Sequence, residues 1–137
     1  MKDVFDVYKE NFEEIIQMIE QGNYKGSFVA STYLTLVSST LDYTDGVLIS
    51  EILEGVFSQI GPAAEGSEPE RVKVLNEQLT AQMRILTDSY RAEDKNALYL
   101  ALRDLRSIAT KFQIQHAKHE PVKTSRQPQL RIQNKLY

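Results

Sequence analysis

The chain has 137 residues, of which 42% are hydrophobic and 26% charged, a balance typical of one soluble globular domain. It contains no cysteine, which excludes disulfides, thiolate metal sites and cysteine nucleophiles. Residues 1–110 hold 10 Lys and Arg against 18 Asp and Glu, whereas residues 111–137 hold 6 basic residues and Glu120. We therefore expect an acidic body with a basic tail, in a cytoplasmic protein without a signal peptide or membrane span.

Helix 1 is predicted from apolar residues that recur at steps of three and four and so share one face. Asp3 is placed to cap its start, and Gly22 supplies the left-handed position that commonly ends a helix. The apolar stripe comprises Phe5, Tyr8, Phe12, Ile15 and Ile19.

Helix 2 is predicted at about 24–41, with Asn23 as its cap. Its residues are rich in β-branched and hydroxyl side chains and could form a strand, but the length and the spacing of Phe28, Leu34 and Val37 favour a helix. No histidine lies nearby in sequence to activate the serines and threonines. We interpret them as small residues that let neighbouring helices approach closely; they are Ser27, Ser31, Thr35, Ser38 and Ser39.

Helix 3 carries a wide apolar arc, which is typical of a central, well-buried helix. Gly61 and Pro62 are expected to end it, and Asp42 and Asp45 occupy the turn before it. The arc comprises Val47, Leu48, Ile49, Ile52, Leu53, Val56, Phe57 and Ile60.

Helix 4 begins in a pattern that predicts a capping box, Ser67 with Glu70, and Pro69 lies in the first turn. Asp94 is expected to cap helix 5. Helix 4 has an apolar stripe of Val72, Leu75, Leu79, Leu86 and Tyr90, with Met83 and Ile85 alongside. Helix 5 has a heptad-like seam of Leu98, Leu102, Leu105, Ala109, Phe112 and His116.

Beyond His119 the helical pattern stops, and two prolines stand among Lys, Arg and Gln residues. The predicted fold is therefore all-α: an up-and-down antiparallel bundle of about five helices over residues 1–117, followed by an irregular basic tail at 118–137. Apolar residues return at the tip of the tail, which suggests that it docks on its own body or on a partner. The tail residues expected to make such contacts are Lys118, Lys123, Arg126, Arg131 and Lys135.

His116 and His119 are candidate metal ligands, because residues three apart share one face of a helix. A structural role is the stronger interpretation, since His116 continues the seam of helix 5 and a closed site needs further ligands. No cofactor is predicted.

Two pairs of carboxylates, Asp42 with Asp45 and Glu51 with Glu54, lie in a stretch without positive charge. All-α nucleotide pyrophosphohydrolases, which this layout resembles, hold magnesium with acidic pairs on adjacent helices. Here the second pair follows the first by only nine residues, so a solvated acidic face that suits a helix N-terminus is favoured over a magnesium site.

Helix 1, the sequence from Gly22 to Gly26, and a helix containing Ala30 and Tyr33 resemble the opening hairpin of HEPN domains over roughly 40 residues. HEPN domains are α-helical bundles found in RNA-cleaving toxins and in partners of nucleotidyltransferases. Their ribonuclease motif is an Arg, four to six residues, then His. Nine residues separate Arg106 from His116 here, and twelve separate Arg103 from it, so the resemblance does not extend to ribonuclease activity.

The sequence therefore favours a non-enzymatic protein-interaction or regulatory bundle that self-associates as a homodimer. Helix 4 with helix 5, or helix 2 with helix 3, would supply the contact face. The alternative is a nucleic-acid-associated, HEPN-like bundle that binds phosphates through its basic tail. A metal-binding enzyme, dependent on His116 and His119, is the third reading.

Overall fold

A computed structural model describes residues 4–40 and 44–119 of the chain. It contains five helices: α1 (Val4–Glu20), α2 (Tyr24–Thr40), α3 (Thr44–Glu65), α4 (Pro69–Ala92) and α5 (Lys95–His119). The described residues form no strand, so the all-α prediction is confirmed and helix 2 is a helix. α5 runs through Lys118 and His119, two residues beyond the predicted end of the bundle. Within these ranges, none of the helices has the length and apolar character that crossing a membrane requires.

The five helices are arranged in a closed ring rather than in simple chain order. α1 packs against α2 and α4, α2 also packs against α3, and α5 lies between α3 and α4. Successive helices alternate in direction, so α3 and α5, two positions apart in the chain, become parallel neighbours. Gln59 on α3 donates to Gln113 on α5 over 2.7 Å, and further along both helices Ser67 meets His116. The connection between α3 and α4 therefore crosses over the C-terminal end of α5.

One apolar core fills the centre of the ring, and every helix contributes to it. At one end three aromatic rings from α1 and α4 meet: the ring of Tyr90 lies 5.1 Å from that of Tyr8 and 6.0 Å from that of Phe12. Contacts of this kind add stability beyond the area that they bury. The fully buried large side chains include Ile15, Ile19, Leu34, Ile49, Leu53, Ile60, Leu75, Leu79 and Met83.

The predicted caps at three helix termini are confirmed. Gly22 has φ 71°, and the backbone N–H groups of Gly22 and Asn23 donate to Ile19 and Met18, which is a Schellman motif at the end of α1. Asn23 Oδ1 accepts from the N–H of Gly26, and Asp94 Oδ1 accepts from the N–H of Ala97. These local signals set the ends of α1 and the starts of α2 and α5.

The prediction that Gly61 and Pro62 end helix 3 is wrong, because α3 continues to Glu65 with Pro62 inside it. An internal proline costs about 3 kcal/mol since it removes one hydrogen bond and crowds the preceding turn. Ala63 and Ala64 are buried in the core, and their packing favours continuation of the helix. Pro62 itself is exposed, so its ring displaces no core side chain.

The predicted capping box of helix 4 is also wrong. Glu68 occupies the N-cap without a side-chain hydrogen bond, and Pro69 forms the first turn. The hydroxyl of Ser67 instead donates to the backbone oxygen of Ala63 over 2.8 Å, at the end of α3. Ser67 therefore contributes a hydrogen bond to the end of α3 rather than a cap to the start of α4.

Among the side chains that the structure describes, the predicted core stripes of helices 2 and 3 each contain one exposed residue, and the side chain of Val37 lies outside that description. Phe28 is 38% exposed and Leu48 is 39% exposed, although both were expected to pack inside. In α3 the neighbouring Ile49 takes the core position. In α2 the change has larger consequences, because small polar residues take the core positions instead.

Candidate interaction surface

Helix α2 turns several small side chains towards the bundle and several large apolar ones towards solvent. Its buried face consists of Tyr24, Ser27, Ala30, Ser31 and Leu34. The hydroxyls on this face return to the helix itself: Ser27 donates to the backbone oxygen of Asn23, and Ser31 to that of Ser27. Such bonds satisfy a buried hydroxyl without a partner on another helix. Ser27 and Ser31 are buried, which agrees with their interpretation as small residues that let neighbouring helices approach closely.

The small face of α2 lets its two neighbours approach its backbone closely. The side-chain amide of Asn11 on α1, which is itself buried, donates to the backbone oxygen of Ala30 over 2.8 Å. On the other side Thr35 donates to Ser50 Oγ of α3 over 2.7 Å, and Ser50 donates to the oxygen of Val47. These contacts orient α2, so its larger apolar side chains are turned outwards.

The outward face of α2 carries an apolar stripe that sequence reasoning missed. Val29, Tyr33 and Leu36, at steps of four and three, are 65%, 55% and 63% exposed. Phe28, on the same helix, extends this stripe towards α3. We call these four residues of α2 the α2 face. Residues 26–40 contain no charged side chain, which is the sequence signal that marks the surface.

A groove of about 730 Å³ adjoins the α2 face, between the first half of α2 and the last turns of α3. The α3 side of the groove is lined in part by Gly61, Ser58 and Pro62, and the small size of the first two leaves room there. Phe28 and Val29 form part of its α2 side, so the groove and the stripe are continuous. A side chain from a docked partner has room to enter here.

The apolar seam of α5, by contrast, packs inside the bundle. Its predicted residues Leu98, Leu102, Leu105, Ala109 and Phe112 are all buried against the other helices. The heptad-like spacing therefore reflects packing against α3 and α4 within one chain. The wide arc of α3 has the same explanation, because most of its residues lie in the core.

Tyr24, at the first turn of α2, joins this helix to α4. Its hydroxyl donates to Oδ1 of Asn76. Burial raises the pKa of Tyr24 to about 12, and the hydrogen bond to Asn76 opposes that rise only in part. The phenol is therefore held neutral.

His116 lies at the predicted end of the α5 seam, half-buried beside the connection between α3 and α4. Its Nδ1 is 3.2 Å from Ser67 Oγ. Gly66 lies directly beside the ring, since a Cβ at this position would stand 2.9 Å from Cε1 of His116. Because the hydroxyl of Ser67 already donates to Ala63, it accepts from Nδ1–H and is not activated as a nucleophile. The pair ties α5 to the crossing connection.

The structure describes only some of the predicted metal ligands and paired carboxylates, so binding of a metal by His116 with His119 stays a prediction. No group of three or more His, Asp or Glu side chains in the part of the chain that the structure describes could hold a metal ion. The side chains of His119 and Asp45, and all of Asp42, lie outside the described residues. Glu51 is exposed, and Glu54 Oε2 lies 3.5 Å from the hydroxyl of Thr35.

Of the predicted tail residues, only Lys118 is described, and its side chain is exposed near the end of α5. The other four, Lys123, Arg126, Arg131 and Lys135, lie outside the described residues. Contact of the tail with nucleic acid, or with a protein, stays a prediction.

Comparisons with protein-family models, with curated proteins and with solved structures find no significant match to this chain. The resemblance of the first two helices to a HEPN hairpin stays a prediction. In the structure Arg103 pairs with its neighbour Asp104 over 3.1 Å, and His116 contacts Ser67. These contacts do not reproduce an Arg–His pair.

Proposed function

We propose that this protein is a non-enzymatic interaction protein that self-associates through the α2 face. The observation that carries the proposal is the inversion of α2, whose solvent side holds Val29, Tyr33 and Leu36 while serines lie on its core side. Single exposed apolar residues are ordinary on proteins, but a contiguous apolar stripe on a stretch of helix without charged side chains is typical of a contact surface.

A second copy is the occupant that the charges favour. Residues 1–110 have an excess of eight negative charges, so two copies repel each other over most of their surfaces. The uncharged stretch at 26–40 is where that repulsion is weakest. A homodimer brings the same patch together twice, which doubles the apolar area buried.

The expected affinity is moderate. Full burial of a Val or Leu side chain contributes about 1.5–3 kcal/mol, and each residue of the stripe counts once in each copy. Association costs about 4–15 kcal/mol in lost translational and rotational freedom and in ordering of side chains. A dissociation constant of the order of micromolar is consistent with these opposing contributions.

The other exposed large apolar side chains of the described residues do not recur at steps of three or four, and among them only Tyr99 and Leu100, neighbours on α5, lie close in sequence. Leu100 and Ile114 stand fourteen residues apart on α5, and Val74 and Ile85 eleven apart on α4. This difference supports the helix 2/helix 3 face over the helix 4/helix 5 face as the site of self-association. It also provides a matched control, because Leu100 is exposed to a degree similar to Leu36.

The test is light scattering and sedimentation of the full chain across a concentration series, with Leu36→Glu and Leu100→Glu variants. We expect the wild type and Leu100→Glu to dimerise with the same constant. Leu36→Glu should stay monomeric, because it places two carboxylates in one apolar interface. A wild type that is monomeric at high micromolar concentration would overturn the proposal, and so would equal effects of the two variants.

A further inference from the structure

We infer that the groove between α4 and α5 binds a small organic anion with an apolar body, and that Arg71 and Lys111 hold its charged group. The groove has a volume of about 530 Å³, which lies in the range typical of small-ligand sites. α2 packs mainly against α1 and α3, so this site is separate from the α2 face. The inference therefore goes beyond self-association and does not depend on it.

The groove has a charged end and an apolar end. Val74 of α4, 52% exposed, and Ile108 of α5, partly buried, line the apolar part. Arg71 precedes Val74 by three residues, and Lys111 follows Ile108 by three. Because α4 and α5 are antiparallel, both steps lead to the same end of the groove. The Cζ atom of Arg71 lies 5.5 Å from the ring centroid of Phe112, next to Lys111 in the chain, which agrees with this placement.

The guanidinium of Arg71 is held in place but lacks an acceptor in the part of the chain that the structure describes. Its Nη2 atom is shielded from solvent and has no hydrogen-bond partner. Among the five arginines that the structure describes, Arg71 alone is not exposed. The ring of Phe112 restrains the cation without neutralising it. An anion in the groove would compensate for the hydration that this charge has lost.

The balance of charge distinguishes this groove from two others on the bundle. The groove between α1 and α4 is lined by two cations and two carboxylates, and there Arg84 pairs with Glu20 over 3.5 Å. The groove beside the α2 face has one charge of each sign. Between α4 and α5, Arg71 and Lys111 are opposed by Glu70 alone. Of these three grooves, this one has an excess of positive charge.

The charge of the surrounding helices acts in the same direction. Residues 1–68 hold 3 Lys and Arg against 12 Asp and Glu, whereas residues 69–119 hold 9 against 6. Lys118, which is exposed, stands seven residues after Lys111 and so shares its face of α5. A small anion is therefore repelled by the first three helices and attracted towards α4 and α5.

Two dyes that differ in one charged group can test the site in the full chain. Anilinonaphthalene sulfonate carries an anionic group on an aromatic body, and phenylnaphthylamine is its uncharged parent. Fluorescence titration should show that Arg71→Gln and Lys111→Gln each weaken binding of the sulfonate about tenfold, because each removes a charge-assisted contact. Glu70→Gln should strengthen it several-fold, since it removes the opposing charge. Binding of the uncharged dye should stay the same in all three variants.

Matched variants control for general charge effects and for folding. Arg106 is exposed on α5 and does not line the groove, so Arg106→Gln removes the same charge and should leave sulfonate binding unchanged. Val74→Glu places a carboxylate at an exposed position of the apolar wall and should abolish binding while the chain stays folded. Leu36→Glu, which alters the α2 face, should still bind the sulfonate. Dye that binds only at the α2 face would be lost in this variant instead.

Competition then tests whether the charged group and the apolar body are both needed. Octanoate should displace the bound sulfonate, whereas octanol and inorganic phosphate should not. Equal effects of Arg71→Gln and Arg106→Gln would overturn the inference, as would a wild type that does not bind the sulfonate. Displacement by phosphate as effective as by octanoate would show a simple ion site and would overturn it too. A chain that binds the sulfonate but stays monomeric would refute the proposed self-association alone.

Discussion

His116 on α5 and Ser67 in the α3–α4 connection lie 3.2 Å apart, Nδ1 to Oγ, so they join segments that are 49 residues apart in the chain. Ser67 also donates to Ala63, which extends the link to the last turn of α3. The closeness of Gly66 to the imidazole leaves the ring little freedom. The pair therefore fixes where the connection crosses α5.

A double-mutant cycle should detect this link. We expect Ser67→Ala and His116→Ala each to lower the free energy of unfolding by about 1 kcal/mol, because each removes one hydrogen bond. Their coupling should be about 0.5–1.5 kcal/mol, measured by urea denaturation at one protein concentration. Thr87→Ala on α4 is the control, since its hydroxyl bonds only to its own helix and its effect should add to that of His116→Ala. Additive effects of Ser67→Ala and His116→Ala would contradict the link.

Glu93, at the C-terminus of α4, has φ 58°, a left-handed conformation that strains any residue with a Cβ. Its N–H donates to Tyr90, and that of Asp94 donates to Ser89, as in a Schellman motif that normally contains glycine. Glu93→Gly should therefore raise the free energy of unfolding by about 0.5–1 kcal/mol. Glu93→Ala removes the same charge but keeps the strain, and chemical denaturation of both variants separates the two effects. Equal stabilities would rule out backbone strain at Glu93.

The buried phenol of Tyr24 should make stability depend on pH in the alkaline range. Its pKa is raised from 10.0 to about 12 in the folded chain, so the unfolded chain releases this proton first as pH rises. The contribution of Tyr24 to stability is thus fully present below pH 10.0 and is lost between pH 10.0 and about 12. We expect the unfolding free energy of the wild type to fall more steeply over this interval than that of Tyr24→Phe. Parallel curves for the two proteins would contradict the assignment.

Local signals predicted most of this fold from the sequence, because caps and periodic apolar residues act over a few neighbouring positions. Gly22, Asn23 and Asp94 act where they were expected to act. The errors lie where distant packing prevails, as at Pro62, where burial of two alanines outweighs a local helix breaker. The link between Ser67 and His116 had no signal in the sequence, since it depends on how α3 meets α5.

The candidate surface was harder to predict for a related reason. Apolar periodicity marks a buried face in most helices, and α2 breaks this rule by burying serines. The tertiary contacts, such as those of Asn11 with Ala30 and of Thr35 with Ser50, show which side of α2 faces inwards. For most residues in the seam of α5 and the arc of α3, by contrast, the same periodicity marks the core correctly, with Leu48 as the exception in α3.

Two leucines only two positions apart provide the sharpest check on the orientation of α2. Leu34 is fully buried, whereas Leu36 is largely exposed. We expect Leu34→Ala to lower the free energy of unfolding by about 2–5 kcal/mol, because it leaves a cavity in the core. Leu36→Ala should change the unfolding of the monomer by less than about 0.5 kcal/mol, yet weaken dimerisation at least about tenfold, because the lost contact counts twice. Urea denaturation at a concentration that keeps the chain monomeric, combined with sedimentation at higher concentration, measures both effects. If Leu36→Ala destabilised the monomer as much as Leu34→Ala does, the side of α2 assigned to solvent would be wrong and the proposed interface would fail with it.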